Sequence, residues 1–308
     1  MASIEMEGHY AVVGLGAMGY GMASNLRKKI PLSSTLFVYD VDRALCDKFK
    51  AEFSGHGPIE TNESIKETVE YAQVLVSSLP SLGAVRDLYL DEASGVLAAR
   101  PNPNRLIVET STIEPSSATE VAQRLAEAKA GYYVDAPVSG GPPGAAAGTL
   151  SFMVGHAKPE LSNPMSLHLQ DLLTIMGNPK KLFWCGKIGT GLAAKISNNY
   201  IACTVFIAVA EAMAIGVRSG IDGKLLRDII NSSSGQTAIG DIVNYIPKDQ
   251  LLGPNGFPVH IMTKDIALGV DAAKLVGIAP RMALTALEIW KEAEEVPEII
   301  AQDGIFHA

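Results

Sequence analysis

Lys195 and Asn199 stand four residues apart near the start of a long apolar run. In a helix that spacing projects both side chains from one face. The run extends from Gly191 to about Gly220 without a proline. As a helix it would hold roughly 29 residues and span ~44 Å. Tyr200 to Val209 carries no charge, so the helix is expected to be buried along much of its length. A cation beside an amide does not stabilise a buried helix, because each group must be desolvated and then satisfied. The two residue types do suit proton transfer. A lysine held against a hydroxyl can take its proton, and once protonated it can polarise a carbonyl. A free lysine, with a pKa of about 10.4, is a poor base at neutral pH. The role therefore calls for an apolar cleft that lowers this value. The plainer reading is packing alone, with Lys195 reaching from the wet end of a core helix to solvent.

The amino-terminal residues supply a reason for proton transfer. His9 to Val13 is a short apolar strand, and Gly14-Leu15-Gly16-Ala17-Met18-Gly19 follows at once, leading into a helix to about Lys29. A G-x-G-x-x-G motif between strand and helix is a dinucleotide signature. Its first glycine makes the tight turn and its second lets backbone approach a pyrophosphate. Its third lets helix and strand pack closely. Thr35 to Tyr39 reads as the second strand and ends in Asp40, the position of the acid that meets the adenosine ribose. A carboxylate there accepts ribose hydroxyls and repels a 2′-phosphate, so NAD is expected over NADP. Arg43, one helical turn on, is the residue that would favour the phosphate. The alternative for Asp40 is a turn or helix cap.

These residues must be carried by alternating strands and helices. Gln73–Leu79, Arg105–Glu109 and Tyr132–Asp135 read as strands, with Leu79-Pro80-Ser81 and Thr110-Ser111-Thr112 as loops at carboxyl ends. In open α/β sheets, cofactors lie across such ends. Ser139-Gly140-Gly141 after the third of these can turn backbone amides inward around a small carboxylate. The alternative is a flexible turn ahead of a short helix. Thr149–Val154 reads as a strand, Pro159 to Met176 as a helix and Leu182–Cys185 as a last short strand, with a glycine-rich hinge before Gly191. Beyond Gly220 every segment reads as helix. Asp222 caps one that ends near Asn231, and Thr237 to Tyr245 is weakly helical. Leu252–Phe257 is a loop, one helix runs from Ile261 to Val276, and another starts near Pro280. Lys264-Asp265, at the start of the former, reads locally as a surface ion pair. The expected fold is an α/β doubly wound parallel sheet (Rossmann) domain over residues 1–187. An all-α domain over residues 188–308 follows, joined through the long helix.

Composition narrows the partners. The net charge of −8 comes with no basic tract, which argues against nucleic acid and anionic membranes. Three scattered cysteines, Cys46, Cys185 and Cys203, give neither a disulfide framework nor a metal spacing, so no metal is expected. Met1 to Gly8 is acidic and lacks arginine, unlike a targeting segment. The expected location is the cytoplasm, or a mitochondrion if a transit peptide has been removed. Ile196 to Val217 is the best membrane candidate, but Asn198, Asn199 and Glu211 interrupt it. A buried soluble helix is the expectation.

Taken jointly, the motifs resemble the β-hydroxyacid dehydrogenase family, most closely its 3-hydroxyisobutyrate dehydrogenase branch. The resemblance runs from about His9 to Ala279. It rests on Gly14 to Leu26, on Asp135-Ala-Pro-Val-Ser-Gly-Gly141 with Gly144 to Leu150, on Gly189 to Asn199, and on Lys264-Asp265. It implies a two-domain NAD(P) enzyme that assembles as a homodimer or homotetramer. It also implies that Lys195 is the acid/base, with Asn199 beside it. Ser139, Gly140, Gly141 and Lys264 would hold substrate. Gly14, Leu15, Gly16, Ala17, Met18, Gly19, Asp40, Leu79, Pro80, Thr112, Lys264 and Asp265 would contact the cofactor. The implied reaction is oxidation of a small 3-hydroxy acid, with 3-hydroxyisobutyrate as the first substrate. Reduction of a semialdehyde acid is the alternative, and a non-catalytic binding module is the rival from another class. The chain departs from the family pattern after about Ile289 and in the loop from Ser232 to Ile239. Both departures bear on the substrate.

Overall fold

The computed structural model describes residues 8–243 and 258–296. The amino-terminal segment before Gly8, the expected loop at Leu252–Phe257 and the tail past residue 296 lie outside the described residues. The chain forms two compact units that divide between Lys195 and Ile196.

The first unit is built on six strands: β1 (Tyr10–Val13), β2 (Leu36–Tyr39), β3 (Ile59–Thr61), β4 (Val74–Ser77), β5 (Leu106–Glu109) and β6 (Tyr132–Asp135). They form one parallel sheet in the order β3-β2-β1-β4-β5-β6. Between them run α1 (Gly19–Lys29), α2 (Arg43–Phe53), α3 (Ile65–Val69), α4 (Leu82–Leu90) and α5 (Pro115–Glu127). The order reverses between β1 and β4, which opens a ligand crevice at the carboxyl ends. The inner strands are apolar up to Ser77 and Glu109 at the carboxyl ends of β4 and β5, because both faces are covered. Val12, Val38, Val76, Val108 and Val134 face one core, which α1 and α2 complete. Ala11, Leu75, Ile107 and Tyr133 face the other, against α4 and α5.

The remainder of this unit differs from the sequence expectation in three respects. β7 (Val138–Ser139), β8 (Leu150–Val154) and β9 (Gly177–Trp184) form a separate three-stranded sheet, not an extension of the first. β9 has eight residues, whereas a short strand from Leu182 was expected. Its polar first half, Asn178 to Lys181, is largely exposed at a sheet edge and hid the strand pattern. A short helix α6 (Gly141–Ala147) follows β7, and α7 spans Pro164–Met176. Helix α7 starts at Pro164 instead of Pro159, because the Asn163 side chain caps it by accepting from the Ser166 amide at 3.2 Å.

The rest is α8 (Thr190–Arg218), α9 (Gly223–Asn231), α10 (Ala238–Val243), α11 (Val259–Leu275) and α12 (Arg281–Glu294). Asp222 caps α9 as expected, accepting from the Leu225 amide at 2.9 Å. α8 has 29 residues but is not buried along its length: only 11% of its most apolar 18-residue window is covered. By length and composition it is the one described helix that could cross a membrane. The expectation of burial fails because α11 and α12 cover a single stripe. Cys203, Tyr200 and Phe206 pack there against Met262, Ile266 and Trp290, while Ile201 and Ile215 are 64% and 68% exposed.

Trp290 lies just past Ile289, where the family pattern was expected to fade, yet it is 4% exposed and its indole N–H donates to the Cys203 carbonyl at 3.2 Å. The Phe206 ring packs against it at a tilt, with centroids 5.3 Å apart. Trp290→Ala should therefore destabilise the helical unit by ~3–5 kcal/mol. Urea unfolding followed by circular dichroism reads this, and an unchanged midpoint would show that Trp290 is not a core residue.

Candidate active site

The glycine loop begins at the carboxyl end of β1, and each glycine has a distinct steric duty. Gly14 has φ +94°, and a Cβ on it would lie 2.2 Å from the Ser78 carbonyl oxygen. A Cβ on Gly19 would lie 1.9 Å from the Gly14 carbonyl oxygen, so α1 can meet β1 only without a side chain there. A Cβ on Gly16 would meet nothing within 4 Å. Its backbone is exposed, as is that of Ala17, and Met18 is half-buried. That open backbone before a helix start is what a pyrophosphate needs.

Asp40 follows β2 beside this loop. One carboxylate oxygen accepts from the Leu15 amide at 2.6 Å and the other from the Asp42 amide at 2.9 Å. Helix α2 is capped by Asp42, not by Asp40. An ionised carboxylate has about four acceptor positions, so two backbone bonds leave capacity for ribose hydroxyls. Arg43 lies over the Tyr39 ring at 5.5 Å and pairs with Glu63 at 3.5 Å.

Next along the same edge are the ends of β4, β5 and β6. Leu79 is half-buried, Pro80 exposed and Thr112 half-buried. Beneath them lies a buried network that the sequence reading did not anticipate. Glu109, with no exposure, accepts from the Ser77 hydroxyl at 2.7 Å and from the Ser111 amide at 2.6 Å. Tyr89 and Ser77 share a hydroxyl hydrogen bond of 2.5 Å. Ser111 in turn accepts from the Leu79 amide at 2.7 Å. The two loops are thus fixed to each other from below. Burial raises the Glu109 pKa, and the Ser111 and Ser77 hydrogen bonds oppose the shift.

Ser139 is half-buried at the end of β7, where it pairs with Ser151. Gly140 and Gly141 follow with φ +135° and +62°. The expected loop is therefore a strand end and two left-handed glycines at the start of α6. Asn25 of α1 donates from its amide to the carbonyls of Ala145 at 2.8 Å and Ala146 at 3.0 Å. A Cβ on Gly21 would lie 2.7 Å from the Ala145 carbonyl carbon. These two residues of the glycine-loop motif therefore serve α6, a role set by partners some 120 residues away.

Lys195 is half-buried on the second turn of α8, and Asn199 is buried one turn later. In the helical unit, the Asn199 amide nitrogen donates to Asp265 at 2.6 Å, and the Asn198 amide donates to the Asn199 oxygen at 3.1 Å. Asp265 is 4% exposed, and Lys264 approaches its other oxygen at 3.2 Å. That last contact is electrostatic and is not aligned as a hydrogen bond. The pair is therefore no surface ion pair. Asp265, expected to contact the cofactor, has its carboxylate turned to Asn199 and Lys264. No cluster of three metal-ligating side chains occurs among the described residues, and Cys46, Cys185 and Cys203 form no disulfide.

The sequence family described as the NAD binding domain of 6-phosphogluconate dehydrogenase matches residues 9–186. The one described as the NAD-binding domain of NADP-dependent 3-hydroxyisobutyrate dehydrogenase matches residues 189–299. The mouse mitochondrial 3-hydroxyisobutyrate dehydrogenase is 37% identical over 267 residues, covering 85% of this chain and 74% of that protein. This chain belongs to the β-hydroxyacid dehydrogenase family. It is an oxidoreductase that binds a nicotinamide cofactor. The NAD-dependent L-serine dehydrogenase of Pseudomonas aeruginosa is 35% identical over 287 residues, covering 91% of this dehydrogenase and 90% of that one. The Mycobacterium tuberculosis 3-hydroxyisobutyrate dehydrogenase, solved with L-serine, superposes with a TM-score of 0.72 at 29% identity, covering 96% and 99% of the two chains. The match to residue 299 passes the expected limit near Ala279, which agrees with the buried position of Trp290.

The Glu109 network has a pH signature. Its carboxyl pKa is raised in the folded state, so the native protein holds a proton that the unfolded chain releases near 4.3. Stability from this group then falls as pH rises from about 4.3 through the folded value. Glu109→Gln removes that slope. Relative to the wild type, the variant should gain stability across this window and then level off. Urea midpoints for both proteins at several pH values check it. A difference that does not change with pH would refute it.

Proposed function

We propose that this chain oxidises a small 3-hydroxy acid to the corresponding semialdehyde or keto acid, 3-hydroxyisobutyrate being the first candidate, with NAD preferred over NADP. The observation that carries the reading is the common edge. The glycine loop, the Leu79-Pro80 and Thr112 loops, and the chain leading to Ser139 all leave the carboxyl ends of β1, β4, β5 and β6. In this reading residues 1–187 carry the cofactor and residues 188–308 form the helical substrate and assembly domain. The relatives named for 3-hydroxyisobutyrate and for L-serine both act on 3-hydroxy acids. L-serine therefore belongs beside 3-hydroxyisobutyrate in the assay, with semialdehyde acids in the reverse direction.

The residues divide the work as follows. Gly14 to Gly19 seat the diphosphate, and Asp40 takes the ribose hydroxyls. Bound NAD supplies the hydride acceptor. The Ser139 hydroxyl and the Gly140 and Gly141 amides hold the substrate carboxylate, which limits substrates to acids. Lys195 takes the hydroxyl proton as the alcohol is oxidised and returns it in the reductive direction. Asn199, its amide aimed by Asp265, and Lys264 orient the substrate. The apolar flank of α8, with Ile201 and Ile215 exposed, supports assembly into a homodimer or homotetramer.

Lys195→Ala should lower kcat by about 10²–10⁴ while NADH still binds. Stopped or steady-state assays of NADH absorbance read the first, and fluorescence titration the second. Near wild-type turnover would end the assignment of Lys195 as acid/base.

Cofactor choice rests on Asp40. Each unit of 2′-phosphate charge at ~4 Å from its carboxylate, at an effective dielectric near 20, is repelled by roughly 4 kcal/mol. A tenfold preference needs only ~1.4 kcal/mol. Arg43 is engaged with Tyr39 and Glu63 and must leave both to meet a phosphate. The ratio of kcat/KM for NAD over NADP should exceed ten, and Asp40→Asn should narrow it. Equal efficiency with both cofactors in the wild type would leave Asp40 with only its backbone role.

A further inference from the structure

Asp135 has no exposed surface, and neither its own strand nor the cofactor reading accounts for its charge. Its carboxylate sits at the start of α8. One oxygen accepts from the Gly189 amide at 2.8 Å and the other from the Leu192 amide at 3.0 Å. The Gly191 amide also donates toward it. The surrounding backbone leaves room for nothing else. A Cβ on Gly155 would lie 1.9 Å from one carboxylate oxygen, and a Cβ on Gly191 would lie 2.9 Å from the other. The Asp135 carbonyl oxygen is used as well, by the Gly155 amide at 2.7 Å. Burial raises the pKa of this carboxyl and the backbone amides lower it. Such a group gains little stability from being charged in a dry place, so its use lies in what it holds.

What it holds is two chain segments at once. Along the chain, Asp135 leads through Ala136, Pro137 and Val138 to Ser139. Across 57 residues it fixes Leu192, three residues before Lys195. Three residues of helix advance only ~4.5 Å, so any slip at Leu192 passes almost whole to Lys195. Helix starts fray unless their free amides are taken. Here a distant side chain takes those of Gly189 and Leu192.

We infer that Asp135 is the positioning residue for Lys195: it sets where the first turns of α8 stand relative to the strand that leads to the substrate loop. The inference rests on the proposed role of Lys195. A displacement of about 1 Å at a reacting group can cost ~10²-fold in rate. Asparagine keeps the shape of Asp135 but turns an NH₂ toward an amide donor, so Asp135→Asn should loosen this attachment without adding bulk.

Four proteins test it: wild type, Asp135→Asn, Lys195→Ala and the double variant. Each is measured for kcat with the 3-hydroxy acid and for NADH affinity by fluorescence. Asp135→Asn should lose ~10²-fold in kcat with NADH affinity held to within about threefold, and should lose under about threefold when added to Lys195→Ala. A variant with wild-type kcat overturns the inference. So does a full ~10²-fold loss in the Lys195→Ala background, because the effect would then not pass through the lysine. If Asp135→Asn does not bind NADH, the smaller Asp135→Ser takes its place, and loss of NADH binding in both makes Asp135 a folding residue and ends the proposal. Failure of the underlying reading looks different: Lys195→Ala itself keeps its turnover.

Discussion

Ser77, Glu109 and Asp135 end three neighbouring strands, stand in register across the sheet, and have no exposed surface. A buried carboxyl group costs stability unless its oxygens are occupied by donors. At the carboxyl edge of a parallel sheet the available donors are the amides of the loops and helices that follow. Glu109 therefore fixes Ser111, and through the Ser111 hydroxyl it fixes Leu79. Asp135 fixes Gly189 and Leu192. The loops after β4 and β5 and the start of α8 are thereby each fixed by a polar group at a strand end. The same requirement explains why the groups must be buried: in water, an amide would have other acceptors and the loop other conformations.

A second constraint ties the glycine loop to the Gly140-Gly141 turn. Gly21 lets α1 approach α6 to backbone contact, and Asn25 bonds two of the α6 carbonyls. Gly148 closes α6 in a left-handed conformation, φ +64°, and a Cβ there would lie 2.6 Å from the Asn25 oxygen. α6 has seven residues, too few to be stable alone. Its position is borrowed from α1, which is itself locked to β1 by Gly19. The glycine loop and the Gly140-Gly141 turn are therefore packed together through α1 and α6.

Much of this was legible in the sequence where a residue's type is dictated by local geometry. Gly19 is required by its contact with Gly14 within the same turn, and Gly14 by its positive φ of +94°; the motif announces both, though not the distant Ser78 carbonyl that Gly14 also clears. Asp222 and Pro115 mark helix starts by rules of the same reach. Asn163-Pro164 carried an equally local signal, and reading it would have placed the start of α7 correctly. Other features depend on partners far along the chain. Nothing near Asn25 indicates Ala145, nothing near Asp135 indicates Leu192, and nothing near Glu109 indicates Tyr89 or Ser77. The alternation of β9 was masked by exposed lysines at a sheet edge. The apolar character of α8 was read correctly but its burial was not, because hydropathy reports what a surface avoids and not what covers it.

The last step concerns α8 itself, which is held by a buried carboxylate in each unit. In the first unit Asp135 holds Leu192. In the helical unit Asp265 holds Asn199 by a charge-assisted bond of 2.6 Å. Seven residues separate these attachments, about two turns or ~10.5 Å of helix, and Lys195 lies between them. In the role proposed for Lys195, proton transfer tolerates errors of only about 0.5 Å in the placement of the group that performs it. A lysine at a free helix end would not meet that limit, since terminal turns open and close readily. In the first unit the Asp135 attachment holds the helix backbone three residues before Lys195. The cost is two desolvated carboxyl groups, each offset by backbone or amide donors that cannot leave without stranding a buried polar group.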